Sequence, residues 1–252
     1  MKQIVFLIFG IFILFLVFVW VSPFSNKSEK VTLKVNRFDQ ELFSINSENI
    51  IDKSKKWDED FGTFNEIFSS KIIQLPVSNR QQYYDALLDF TQNKDMREAY
   101  DSTALLFSDF FDIKSDLELS FSFFKTAFPS YPIPDITTFF GGFNYGVVTY
   151  NSNIAIGLEN FLGQNSKYYK YLGDPEYLRF QKQKRFISSN VMEVWFNEHF
   201  HEYLVERDFL SQMIYKGKMM YFLDQMLPQL NMADKFRFNP SQMDFLEANE
   251  AR

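Results

Sequence analysis

Glu198-His199-Phe200-His201-Glu202 gathers the chain's only two histidines between two carboxylates, residue types that hold zinc or move protons. A helical zinc site of the H-E-x-x-H kind needs its histidines four apart, so that one helix face presents both to the metal. Four residues after His199 comes Tyr203, and four after His201 comes Val205. Two residues apart on a helix is roughly 200° of rotation, so His199 and His201 point to opposite sides. The pentad therefore reads as a partly exposed polar helix face, with His199 near Trp195 and Phe196. The chain has no cysteine, which excludes a disulfide framework, a thiolate zinc site and a thiol nucleophile. Neither G-x-S-x-G, a phosphate-cradling glycine loop nor an EF-hand loop occurs, and no cofactor is expected.

The remaining candidates are carboxylates. Asp39 and Glu159 each follow an expected strand end, and hydrolytic chemistry would require the two to meet in one pocket. Otherwise each caps a helix, Asp39 at the start of the short turn Glu41-Leu42-Phe43. Asp224 lies on a long helix, Asp208 to Leu227, whose apolar side is read as Phe209, Leu210, Met213, Ile214, Gly217 and Tyr221. It falls toward that side, so Lys216 or Lys218 is its expected partner. Gly217 reads as room for a close helix contact.

These residues must be positioned by a mixed set of elements. Val31, Leu33 and Val35 alternate with polar residues, the period of a half-buried strand. Ile136 to Phe140, Gly146 to Tyr150 and Ile154 to Ile156, separated by Gly141-Gly142 and Asn151-Ser152-Asn153, read as three further short strands. Three- and four-residue spacing predicts helices near Ile50 to Ser69, Arg80 to Gln92, Arg97 to Phe110, Ser115 to Phe128, Pro175 to Phe180, Ser188 to Tyr203 and Asp208 to Leu227. A last helix runs from Pro240 to Asn249, with Asn239 as its cap. The predicted class is α+β, mostly helical, with a small antiparallel sheet, as one globular domain over residues 31–252.

With 46% hydrophobic residues and 32 phenylalanines, the chain is no disordered or linker-rich protein. Its formal net charge of −6 speaks against a nucleic-acid partner. Ile4 to Val21 is uncharged over 18 residues, about 27 Å as a helix. Residues 1–22 are accordingly expected to be an uncleaved membrane anchor, a cleaved signal peptide being the alternative. Residues 23–30 then serve as a linker, and the globular part is expected on the exported side.

Four strings occur in order: Val35-Asn36-Arg37-Phe38-Asp39, Phe128 to Pro134, Ile156-Gly157-Leu158-Glu159 through Gly163, and Met213 to Pro228 with Gly217-Lys218, Tyr221 and Asp224. In this combination the chain resembles the GldB family of gliding-motility lipoproteins over Val31 to about Glu250. The resemblance implies a cell-envelope protein of the Bacteroidota, with partners in the gliding and type IX secretion apparatus and no established catalysis. It marks Arg37, Phe38, Asp39, Gly157, Leu158, Glu159, Gly163, Gly217, Lys218, Tyr221 and Asp224 as the family-motif positions. It also implies a distant likeness to zinc proteases of zincin type. Lys216 and Lys218 stand where such proteases offer an acidic ligand, and they would repel a cation. Three departures accompany the resemblance: Val19-Trp20-Val21-Ser22-Pro23 lacks the lipidated cysteine, Glu159 replaces an aspartate, and the sequence closes at Arg252 where further helical residues are expected. The leading expectation is a non-enzymatic, membrane-anchored binding component. A carboxylate hydrolase on a degenerate protease scaffold, or a module with an aromatic-lined ligand cavity, stands as the alternative.

Overall fold

A computed structural model describes residues 29–201 and 208–250; the expected anchor and most of the linker lie outside them. No helix among the described residues is long and apolar enough to cross a membrane. Four strands, β1 (Val35–Arg37), β2 (Ile136–Phe139), β3 (Val147–Tyr150) and β4 (Asn153–Gly157), form one sheet in the order β1-β2-β4-β3. The sheet is mixed, which corrects the antiparallel expectation: β1 with β2 and β2 with β4 are parallel, and only the β3–β4 hairpin is antiparallel. Burial explains the order. Ile154, Ala155 and Ile156 are fully buried and take a central position, whereas β3 is half-buried throughout and takes the edge. Asn151 and Ser152 at φ 44° and 58° make the two-residue turn between them.

β1 is shorter than the alternation from Val31 suggests. Its parallel register pairs Val35 with Ile136, which aligns Leu33 with Pro134 and Val31 with Pro132. Proline has no amide hydrogen to complete a ladder. Val31 and Leu33 are nevertheless buried. Their amides turn to side chains of a helix instead, Val31 to Ser122 Oγ at 3.0 Å and Leu33 to Glu118 Oε1 at 2.9 Å.

Between β1 and β2 run α1 (Phe38–Leu42), α2 (Ile50–Asp60), α3 (Thr63–Ile67), α4 (Arg80–Gln92), α5 (Lys94–Leu106) and α6 (Phe111–Ala127). The single helix expected over Ile50 to Ser69 is split at Gly62, whose φ of +43° ends the first segment. α5 starts at Lys94 rather than near Arg97 because Asn93 caps it, accepting from the amides of Asp95 and Met96. After β4 come a 3₁₀ turn (Leu158–Phe161), then α7 (Lys167–Tyr171), α8 (Glu176–Gln181), α9 (Ile187–Phe200), α10 (Phe209–Met226), α11 (Met232–Phe236) and α12 (Pro240–Asn249). α12 begins with Asn239 and Gln242 in a reciprocal capping box.

The sheet divides two cores. Ile136, Ile154 and Ile156 face a cluster built with α6, α9 and α10, including Phe121, Phe124, Trp195, Phe222 and Leu223. Phe139, Phe140 and Ala155 face a second cluster from α1 to α5. At its centre Phe38 makes edge contacts with Trp57, Phe61, Phe64 and Phe68 at centroid distances of 4.9–5.3 Å. The phenylalanine wealth is thus mostly core.

Candidate functional site

β1, β2 and β4 are parallel, so their C-terminal ends share one edge of the sheet, the place where open α/β sheets collect functional side chains. Asp39 follows β1, Gly141 follows β2, and Glu159 follows β4. Both carboxylates are fully buried. Asp39 is not an N-cap: α1 already begins at Phe38, and no side chain caps it. Its carboxylate instead receives both arms of Arg37, Nε to Oδ1 at 3.0 Å and Nη2 to Oδ2 at 2.8 Å, and a hydrogen bond from Thr138 Oγ1. A bidentate guanidinium is what makes a buried carboxylate tolerable.

Glu159 is not a helix cap across space either. Its Oε1 accepts the amides of Gly141 at 2.7 Å and Phe143 at 3.1 Å, closing the loop between β2 and β3 around itself. Gly142 and Phe143 both have φ near +70°, which aims the two flanking amides at one oxygen. Asn144 bonds Ile72 O and Gly141 O, and Asn160 bonds Tyr145 O, tying the same loop from two sides. Glu159 Oε2 has no hydrogen-bond partner among the described residues. Burial pushes the Glu159 carboxyl up to about 7, the amides of Gly141 and Phe143 oppose the rise, and the nearby Asp39 charge adds to it.

The neighbouring family-motif positions lie in the core or in tight backbone. Leu158 is core. A Cβ on Gly157 would lie 2.1 Å from Tyr145 O, so only glycine fits there. Gly163 sits at φ +96° in a turn. Thr138, Gly141, Phe143, Asn144 and Asn160 complete this corner and were not singled out as site residues by sequence. The one trace of them was Gly141-Gly142, read as a turn.

Gly217, Lys218, Tyr221 and Asp224 form a separate group on α10, and two expectations for it are corrected. Among the described residues nothing lies within 4 Å of a Cβ placed on Gly217, so this glycine makes no close contact with another described helix. Asp224 is exposed and pairs with Lys235 at 2.6 Å, while Lys216 leans toward Glu193 at 3.5 Å. The face that packs is Tyr215, Met219, Phe222, Leu223 and Met226. Phe209 at 79% and Tyr221 at 70% exposure, with Leu210, Met213 and Ile214 more than half exposed, occupy the opposite side. α10 is apolar on both faces, and periodicity alone could not say which one the core takes.

An open cleft of about 510 Å³ lies beside this helix. It is lined by Ala127 and Phe128 at the end of α6, by Phe196 and Phe200 of α9, and by Lys218, Tyr221 and Gln225 of α10. Tyr215 turns its hydroxyl away to Asn197 at 2.8 Å, leaving the cleft predominantly apolar. The two histidines have different surroundings. His199 packs against Trp195 at 4.2 Å and Tyr131 at 5.0 Å, with burial lowering its pKa, and His201 is exposed. Glu198 anchors α9 to β3 by accepting from Thr149 Oγ1 at 2.7 Å. No group of three or more metal-ligating side chains occurs among the described residues.

The family model for gliding motility protein GldB matches residues 22–252. The chain belongs to the GldB family. No curated protein and no solved structure matches it. Membership makes this GldB-family chain a gliding-motility component, of a family of envelope-associated lipoproteins not known as enzymes.

Proposed function

We propose that this GldB-family protein acts without catalysis, as a membrane-anchored component of the gliding and type IX secretion apparatus on the periplasmic side, and that it works by binding partner proteins. The cleft between α6, α9 and α10 is the seat for a partner's apolar side chains, with the family-motif residues Lys218 and Tyr221 at its side. One contrast carries this reading: the cleft is open and apolar, whereas Asp39 and Glu159 are sealed from solvent and engaged by their own chain. An open apolar concavity with few polar groups is what recognition needs. The test is deletion of the gene in its host, scoring colony spreading and surface-protein secretion. Ala127→Trp, which fills the cleft from the end of α6, is expected to fail in complementation while folding normally. Full spreading with that variant would refute the cleft as the working surface.

A second reading, a carboxylate hydrolase, draws on the placement of two buried carboxylates at one sheet edge and on Glu159 Oε2, unpartnered among the described residues. It requires Glu159→Gln to abolish spreading with the fold intact. Under the binding reading Glu159→Gln restores spreading fully.

A further inference from the structure

The outer side of α10 carries a pattern that extends beyond the cleft, which takes only Tyr221 and Lys218 from it. At 100° per residue, Phe209, Leu210, Met213, Ile214, Gly217 and Tyr221 fall within an arc of about 140° opposite the packed face. Lys216 and Lys218 stand at its two margins, each about 100° from the centre of the arc. Lys216 is only loosely held by Glu193 at 3.5 Å, its side chain 61% exposed, and Lys218 has no ion-pair partner among the described residues. Two lysines bordering an exposed aromatic and aliphatic stripe, in a chain of net charge −6, form a local cationic frame. A helix that lies in the plane of a bilayer has this arrangement, its apolar side chains among the acyl ends of the headgroups and its lysine stems reaching up to the phosphates. Asp224 falls on the same arc one turn beyond the stripe, and Lys235 neutralises it.

The sequence outside the described residues points to the same occupant. The uncharged run Ile4 to Val21 is joined to Val31 by residues 22–30, which cover at most about 30 Å when extended. Val31 is fastened to Ser122 on α6, and α6 packs against α10. The tether therefore leaves the fold within reach of a membrane and is attached at a helix that neighbours α10.

We propose that the outer face of α10 rests on an anionic lipid surface, with Phe209, Leu210, Met213 and Ile214 inserted and Lys216 and Lys218 at phosphate level. This goes beyond partner binding in the cleft, and blocking the cleft with Ala127→Trp leaves it unchanged. The absence of cysteine makes the test direct. Single cysteines replacing Leu210, Ile214 or, as a control on the opposite face of the fold, Gln81 of α4 carry an environment-sensitive dye in the full chain. The protein is reconstituted into phosphatidylcholine vesicles with or without phosphatidylglycerol. With phosphatidylglycerol, the dyes at 210 and 214 shift to the blue and are quenched by nitroxides on the lipid, and the dye at 81 does neither. Lys216→Gln with Lys218→Gln lowers the docking equilibrium constant by about 30-fold, roughly fivefold for each lysine. Dyes that stay in water with phosphatidylglycerol present overturn the proposal. So do dyes shielded from water but not quenched by lipid nitroxides, because a second copy or a protein partner then covers the stripe. Equal docking without phosphatidylglycerol overturns the role given to the lysines.

Discussion

Replacing Glu159 by glutamine keeps the shape of the side chain and an oxygen for the amides of Gly141 and Phe143, but removes the charge. The fully buried carboxyl titrates near 7 instead of its ordinary 4.5, so the folded state holds a proton that the unfolded chain has already lost. A carboxyl raised in this way is destabilising wherever the unfolded chain is ionised: stability is intact below about pH 4.5, falls between 4.5 and 7, and stays low above. The displacement corresponds to about 3 kcal/mol, an order of magnitude without discount for solvent because the group is wholly buried. Urea unfolding of the two proteins in the same mild detergent, from pH 5 to 8, isolates this contribution. Carboxylates that do not interact with Glu159 cancel in the difference, including Glu41 and Asp224, which are held low by Lys53 and Lys235. The variant is expected to match the wild type near pH 5 and to exceed it by about 3 kcal/mol at pH 8. A variant less stable than wild type at pH 8 would refute the reasoning, for it would show that the ionised carboxylate gains more from the two amides than it loses by burial.

Arg37→Leu leaves Asp39 buried and uncompensated, with an expected loss of about 3–5 kcal/mol in unfolding free energy; adding Asp39→Asn recovers most of it, and no recovery would mean that packing dominates. Gly157→Ala forces a methyl onto Tyr145 O and costs at least about 2 kcal/mol, whereas Gly217→Ala, in open space on a helix, gains up to about 1 kcal/mol. Thermal unfolding of both separates an obligatory glycine from a dispensable one, and equal effects would contradict the geometry. The imidazole signals of His199 should titrate below the usual 6.5. A value at or above it would place the ring in water instead of between Trp195 and Tyr131.

Helices were legible wherever spacing and a cap agreed, as in Arg80–Gln92 and Pro240–Asn249. The sheet was legible as strands but not as pairing, because antiparallel and parallel neighbours share the same alternation. Pairing was decided by burial, which put β4 between β2 and β3. On α10 the difficulty was different: with apolar residues all around, the sequence offered two candidate inner faces, and fit to Phe124 and Phe196 chose Tyr215 to Met226. Asp39 and Glu159 were recognised as a pair of interest, but their partners lie on other elements. Thr138 is 99 residues from Asp39, and Gly141 is 18 from Glu159. Such separations leave no local signature.

The distance in sequence between β1 and β2 also governs when the fold can appear. Arg37 finds its partner strand only at Thr138, and β2 in turn needs β4, which ends at Gly157. Six α-helices precede β2, and until it emerges the two cores they help build lack their sheet side chains. Long-range parallel pairing of this kind forms slowly. A chain emerging from its amino end therefore stays loose until more than half of it is available, and its apolar surface is open to solvent for that time.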